Sequence, residues 1–424
     1  MDKRSLLAIV LTFLIIVLWN YFYIRPRQEE ARLSRAEQSA QEASADSVAT
    51  ETAGREKPDL ETESSGEDAA GKELALDMNE KEYQEVNIKV LTNDMELELG
   101  NAGGEIKSVK LIEFSKDGGR LVQLIPEGKK GGIGLGVVKG DGSEIDFSDT
   151  RFRVTVNGTE AVDGSEIRLT DEGESEEIIF RRDMKGGDYV EKRFVFYSTG
   201  YQYNFSVKMS RDSLLRGTES YYVNWDCGLK VTENKEDWDR SGFASLGRVS
   251  EEFYKESLGS FGDGEPKKKQ GTVTWAGART KYFLSALMVD EPRSGDLVML
   301  GDKNEGFVGY EISYPFRGDP RIIERNFTGY IGPLDMSRLE KFGMGLEKAV
   351  DLGWLRFFSV IILKLMVFLR QIIPNYGIII ILMSIMTKLI FYRLTHKSFK
   401  SMKDMQRLQP KIKKLQEKYK DDKE

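Results

Sequence analysis

Tyr201-Gln202-Tyr203-Asn204-Phe205-Ser206-Val207-Lys208-Met209 alternates apolar and polar residues without a break. A strand points successive side chains to opposite faces, so the run reads as a strand with one buried face. The same period of two recurs at Val86, Ile88 and Val90, at Met95, Leu97 and Leu99, and at Phe152, Val154 and Val156. Turn signals separate these runs: Asn93-Asp94, Asn101-Ala102-Gly103-Gly104, Asn157-Gly158 and Gly262-Asp263-Gly264 among them. Many short strands and few helical stretches over residues 83–332 predict one large β-sandwich. Gly132-Ile133-Gly134-Leu135-Gly136 lies among these strands and no helix follows it. It therefore reads as a glycine-rich strand or turn and not as a dinucleotide loop.

Upstream, the composition changes twice. Residues 1–24 carry Lys3 and Arg4, then an apolar run that closes on Trp19, Tyr21, Phe22 and Tyr23. About 20 such residues cross a bilayer, with aromatic side chains at the interface. Arg25-Pro26-Arg27 follows, with no small-residue cleavage site, so the run reads as an uncleaved transmembrane anchor. Residues 25–82 read as a disordered acidic linker. Residues 28–82 hold 16 acidic and 6 basic residues and no aromatic one. Such a segment buries too little apolar area to offset its ordering entropy.

Downstream, Met336, Leu339, Phe342, Leu346 and Val350 have helical spacing, which predicts a bridging helix over 333–352. Residues 353–373 predict an amphipathic helix. Arg356, Ser359, Lys364, Arg370 and Gln371 share one arc, and Trp354, Phe358, Ile361, Ile362, Leu365, Phe368 and Leu369 face the other way. Trp354, Phe358 and Phe368 are its candidate contacts with a membrane interface, a third spanning helix being the alternative. After Pro374-Asn375, residues 376–392 form a second spanning candidate at the short end of the range. Residues 393–424 are basic, with 11 Lys or Arg against 5 Asp or Glu. The positive-inside rule puts that end in the cytoplasm, and two spans then place both termini there and the β-domain on the opposite side.

The chain has 424 residues and a net charge of −7, which excludes a globally basic nucleic-acid binder. Cys227 is its only cysteine and His396 its only histidine. These exclude an intramolecular disulfide and a multi-His zinc site, and leave at most one candidate for a His-based catalytic triad. Neither a catalytic residue nor a metal or cofactor site is predicted. Ser384 and Lys388 stand four apart within the second span, but no oxyanion-hole motif accompanies them as a protease would require. Lys388 either snorkels to the cytoplasmic surface or faces a hydrated cavity. In the tail, Met402, Met405, Leu408, Ile412, Leu415 and Tyr419 step at near-heptad spacing, interrupted by Pro410. Lys400, Lys403, Arg407, Lys411 and Lys414 flank this seam, which suits a partner helix or anionic lipid.

Tyr376-Gly377-Ile378-Ile379-Ile380-Ile381, Tyr392-Arg393-Leu394-Thr395 and Met405-Gln406-Arg407-Leu408-Gln409-Pro410-Lys411-Ile412 resemble the YidC membrane-protein insertase family. Asp351-Leu352-Gly353-Trp354 is similar to that family too, as is the plan of anchor, linker, large β-domain, interfacial helix and second span. The resemblance implies a membrane protein with two transmembrane helices flanking a periplasmic all-β domain of β-supersandwich type. It also implies an intramembrane groove with a cation, to which Lys388 and Ser384 would contribute, and no cofactor. Lys388 stands where the family typically has Arg, and Arg393 where many members have Pro. The implied activity is to assist insertion and folding of inner-membrane proteins, alone or with the Sec translocon. Implied partners are nascent membrane proteins, the Sec translocon, the ribosome or targeting machinery at the cytoplasmic face, contacted by Lys400, Lys403, Arg407, Lys411 and Lys414, and the phospholipid of the bacterial inner membrane. Family members continue through the rest of a cytoplasmic hairpin and further spans, whereas this sequence stops at Glu424, so a shortened form is expected. The alternative is a membrane-tethered periplasmic binding or scaffold domain without insertase activity.

Overall fold

A computed structural model describes residues 83–418 apart from 117–118, 129, 263 and 319–320. The expected anchor, 1–24, and linker, 25–82, lie outside the described residues.

The first strands are β1 (Asn87–Leu91), β2 (Met95–Gly100), β3 (Glu105–Ser115), β4 (Leu121–Gln123), β5 (Gly134–Lys139), β6 (Glu144–Asp146), β7 (Arg153–Val156), β8 (Thr159–Glu160) and β9 (Ser165–Arg168). There follow β10 (Ser175–Asp183), β11 (Tyr189–Tyr197), β12 (Gln202–Ser210), β13 (Thr218–Trp225), β14 (Ala244–Val249) and β15 (Glu252–Ser257). The last are β16 (Lys267–Arg279), β17 (Phe283–Asp302), β18 (Phe307–Pro315) and β19 (Ile322–Pro333). Strand β12 is formed by the alternating run around Tyr203, Phe205 and Val207. Its Tyr203, Phe205, Val207 and Met209 are buried, as are Ile88 and Val90 on β1 and Met95, Leu97 and Leu99 on β2. The Asn157-Gly158 turn joins β7 to β8 with both residues at positive φ, the backbone that a two-residue hairpin needs.

Two sheets result. The smaller has the order β4-β3-β2-β1-β9, with β9 parallel to β1. The larger runs β6-β5-β13-β18-β17-β19-β12-β11-β10-β7-β8, with β14, β15 and β16 branching beside β17. Strand β17 changes partners partway along. Phe283–Val289 pairs with β19, and Asp296–Asp302 pairs with β18. The sheet therefore divides into two halves at that strand. Their inner rows meet in one core, where Tyr203 of β12 and Tyr310 of β18 lie together beside the free thiol of Cys227. Burial pushes both phenols and the thiol well above their ordinary pKa.

The glycine-rich stretch is strand β5 with its entrance, and its small residues serve close packing. A Cβ on Gly132 would stand 2.2 Å from the Trp225 ring, and one on Gly136 would stand 2.3 Å from the Tyr222 ring. Bare backbone here lets the β13 side chains lie flat on β5. The ammonium of Lys192 ties the two sheets together. Fully buried on β11, it donates to the carbonyl oxygens of Gly103, at 2.8 Å, and of Ile133. Burial pulls its pKa down to about 8, while the nearby carboxylate of buried Glu105 resists that change.

The described residues hold four α-helices: α1 (Glu236–Arg240), α2 (Met336–Leu339), α3 (Arg356–Ile372) and α4 (Tyr376–Lys418). Instead of one bridging helix over 333–352, the structure has a broken segment. Asp335 caps α2 by accepting from the backbone N–H of Ser337 at 2.8 Å. Then come short 3-10 turns at Glu340–Phe342 and Leu346–Ala349. Gly343 and Gly345 between them take φ of 67° and 77°, a left-handed backbone that ends the first turn and enters the second. The helical spacing survives because Met336, Leu339, Leu346 and Ala349 are buried against the β-domain. The second spanning candidate and the basic tail, expected to part at residue 392, form one helix in α4. No Gly or Pro occurs from 378 to 409, and Lys, Arg, Gln and Met are good helix formers. The helix continues through Pro410, which withholds one backbone donor.

Candidate membrane-facing site

The site begins at the neck between the β-domain and α3. Met344 accepts from Arg248 Nη1 at 3.0 Å and from the indole Nε1 of Trp275 at 3.1 Å. Arg279 Nη1 donates to the Ala349 carbonyl at 2.8 Å. Asp351 then takes Lys255 as an ion-pair partner, has Arg279 Nη2 at 3.5 Å, and accepts from the Gly353 N–H at 3.0 Å. The Lys255 ammonium, helped by that N–H, lowers the Asp351 pKa from its ordinary 3.8 to about 2. Four side chains from the β14–β16 region thus hold a stretch that contains the Asp351-Leu352-Gly353-Trp354 motif. Sequence reasoning missed these partners, which are 69 to 96 residues away in the chain, with no local signal to mark them.

Helix α3 leaves the neck with part of its polar arc turned back on it. Arg356 donates to the Val350 carbonyl at 3.1 Å, and Ser359 Oγ to the Leu352 carbonyl at 3.3 Å. Much of the apolar arc is exposed. Trp354 is 75% exposed, and Phe358 and Phe368 are 59% and 57% exposed. Pro374-Asn375 turns the chain into α4, where the Asn375 carboxamide accepts from the Gly377 N–H at 2.8 Å. Arg370 lies over the Tyr376 ring at 5.2 Å, and Ile379 is fully buried at this junction.

Beyond Ile379 the helix exposes large apolar side chains, including Ile381, Ile385, Leu389 and Ile390. The segment Tyr376–Arg393 is the one helix among the described residues long and apolar enough to cross a membrane. Lys388 is on this segment and exposed, and no carboxylate among the described residues pairs with it. Ser384, also exposed, turns its hydroxyl back to the Ile380 carbonyl at 2.9 Å and does not address Lys388. Thr387 makes the same back-bond to Met383 at 2.8 Å. Back-bonding satisfies a hydroxyl in an apolar setting. Ser384, Thr387 and Lys388 fall within an arc of about 100° at helical spacing, one polar strip on an apolar helix. Thr387 was missed by a reading that weighed only the pair four residues apart.

Further along, Lys400, Lys403, Arg407 and Lys411 are exposed, and Lys414 follows on the same helix. At 3.6 residues per turn the five share an arc of about 80°. Met402, Met405, Leu408 and Ile412 of the seam are exposed as well. Leu415 follows on α4, and Tyr419 lies outside the described residues. The sole histidine, His396, stacks on Tyr392 at 5.9 Å.

Residues 87–365 match the family described as YidC periplasmic domain, and residues 368–424 match 60Kd inner membrane protein. The protein from Prosthecochloris aestuarii called Membrane protein insertase YidC is 27% identical over 433 residues, covering 99% of this chain and 70% of that protein. The Pelodictyon phaeoclathratiforme protein of the same name is 31% identical over 352 residues, covering 80% of this chain and 58% of that protein. Among solved structures, a putative aldose 1-epimerase from Escherichia coli is 9% identical with a TM-score of 0.36, covering 58% of this chain and 99% of that one. With the periplasmic-domain match alone spanning well over half of its residues, the chain belongs to the YidC family.

Proposed function

We propose that this protein is a membrane-protein insertase and folding chaperone of the bacterial inner membrane, with its β-domain in the periplasm. The observation that carries the reading is the polar strip of Ser384, Thr387 and Lys388 on an otherwise apolar helix of spanning length. A lone ammonium near the middle of a bilayer costs about 2.5–3.5 kcal/mol on insertion scales. A hydrated groove beside it removes much of that cost and lowers the same penalty for a polar segment of a substrate. Lys388 attracts the hydrophilic, acidic part of that substrate, and no covalent bond is made or broken. The relatives that carry the name insertase support the reading.

The finer architecture belongs to this proposal. Two spans flank a periplasmic β-supersandwich. Trp354, Phe358 and Phe368 seat α3 in the outer interface. Lys400, Lys403, Arg407, Lys411 and Lys414 meet a ribosome or targeting factor on the cytoplasmic side, and the Sec translocon is a lateral partner. Proteoliposomes containing this chain, or a form extended to the length of its relatives, test the function with a single-span substrate bearing an acidic translocated tail. Lys388→Arg is expected to retain insertion and Lys388→Leu to impair it. Full insertion by Lys388→Leu would remove the groove role, and no insertion by either form of the wild-type sequence would remove the insertase reading.

A further inference from the structure

The division of the large sheet leaves a cavity. Strand β17 pairs with β19 up to Val289 and with β18 from Asp296, so its residues 290–295 lie outside both ladders. At the same place β18 runs out along β13, and β19 arrives along β12. The resulting fork encloses about 490 Å³. It lies at the end of β19 opposite Pro333.

The lining of this fork is unusual in charge. Arg293, Arg317 and Arg325 contribute to it, and among the described residues no carboxylate does. The Arg325 guanidinium donates to the backbone carbonyl of Glu324 at 2.7 Å, and no carboxylate among the described residues pairs with it. Arg293 pairs with Glu291 at 2.6 Å, but both side chains are more than half exposed, and such a surface pair opens at little cost. The wall is a rigid aromatic stack. Tyr221 lies 5.7 Å from Tyr314 and 5.3 Å from Phe316, and Arg211 covers Phe316 at 3.9 Å.

The second observation concerns the hydroxyls. Tyr221 and Tyr314 line the fork, are 1% and 4% exposed, and neither phenol has a hydrogen-bond acceptor among the described residues. The Arg325 guanidinium stands near the Tyr221 oxygen and favours negative charge there, while no acceptor among the described residues meets the proton of either phenol. Buried hydroxyls are normally paired, and these two are donors that lack an acceptor. An oxyanion provides acceptors, and planar guanidinium groups match its geometry.

We infer that the fork between β18 and β19 is a binding site for the carboxylate or phosphate group of a small molecule, held by Arg325 and Arg293 against the Tyr221–Phe316 wall. The aromatic wall takes the apolar or planar body of the ligand, and the arginines take its charge. The site is independent of the membrane-facing helices.

The test uses the full chain in an uncharged, phosphate-free detergent, with phenyl phosphate as probe, followed by calorimetry and phosphorus NMR line width. Saturable binding is expected, with inorganic phosphate competing for it. Loss of one charge-assisted contact in Arg325→Gln should weaken binding about tenfold or more. Arg293→Gln, a half-exposed position whose replacement leaves the core untouched, should weaken it by a smaller factor. Arg168→Gln, on β9 outside the fork, should bind as the wild type does. Thermal unfolding of each variant separates a lost contact from a lost fold. Absence of saturable binding by the wild type, or unchanged affinity in both Arg293→Gln and a folded Arg325→Gln, would overturn the inference.

Discussion

The β-domain and the two C-terminal helices treat the same kinds of side chain in opposite ways. Trp225, Trp275, Phe194 and Tyr203 are fully buried among other residues of the domain. On α3 and α4, Trp354, Phe357, Leu389 and Ile390 are each about two-thirds or more exposed. Exposed apolar patches of this extent mark a surface made for another apolar phase. The difference teaches where each region finds its stability. The domain supplies its own apolar surroundings, and in the proposed function the helices take theirs from lipid. The neck from Met344 to Gly353 is the joint between these two regimes, held by Arg248, Lys255, Trp275 and Arg279.

The largest effect should come from deleting one large aromatic side chain in each region. Trp225→Ala removes a fully buried indole that lies on Gly132, and should destabilise the β-domain by about 3–5 kcal/mol. Urea unfolding of the full chain in detergent reads this directly. Phe358→Ala removes a comparable ring yet should leave the unfolding midpoint of the domain unchanged, while weakening partition of α3 into vesicles. Equal destabilisation by both substitutions would break the comparison. A smaller loss, about 1–3 kcal/mol, should follow Gly132→Ala, because the added methyl overlaps the indole of Trp225.

Much of this division was legible in the sequence. Alternation in β12 marked a buried face because period two has one physical meaning in a strand. The arc of Trp354, Phe358 and Phe368 marked an apolar helix face for the corresponding reason at period 3.6. The two-half arrangement of the large sheet was not legible. The change of partner along β17 depends on pairings between residues far apart in sequence, and a run such as Phe283–Asp302 carries no mark of where it changes neighbour. The break in the segment after Pro333 was hidden because Met336, Leu339 and Leu346 keep helical spacing while Gly343 and Gly345 stop the helix. Of the membrane-facing site, Ser384 and Lys388 were visible as an i,i+4 pair. The clamp on Asp351 was not, since Lys255 and Arg279 gain their meaning only from the fold.

The neck offers a finer test. Asp351 has its pKa lowered to about 2, so its contribution to stability is complete above its ordinary 3.8 and is lost as pH falls through about 2. Its side chain is 44% exposed, so solvent screens the pair, and Asp351→Asn should cost only about 0.5–1 kcal/mol. Pepsin cleavage within 343–355 is expected to rise steeply as pH falls from about 4 to 2, a step that Asp351→Asn should flatten. A pH-independent rate in the wild type would show that the neck does not depend on this carboxylate. The smallest effect belongs to Ser384→Ala. Its hydroxyl is bonded within its own helix, so helix stability in micelles should change by less than about 0.5 kcal/mol.

The central claim is that α3 and α4 take lipid as the environment that the β-domain finds within itself. Nitroxide labels at Phe358, Ile381, Ile385 and Leu389, with a reference label at the exposed Val162 of the β-domain, test it in bilayers. Cys227 is buried, so it does not compete for the label. Collision rates with oxygen, which concentrates in lipid, are compared with those of a water-soluble nickel chelate. The account predicts oxygen-dominated collisions at all four helix positions and nickel-dominated collisions at Val162. Nickel-dominated collisions at Ile381, Ile385 and Leu389 would contradict it, because the apolar faces of α4 would then stand in water.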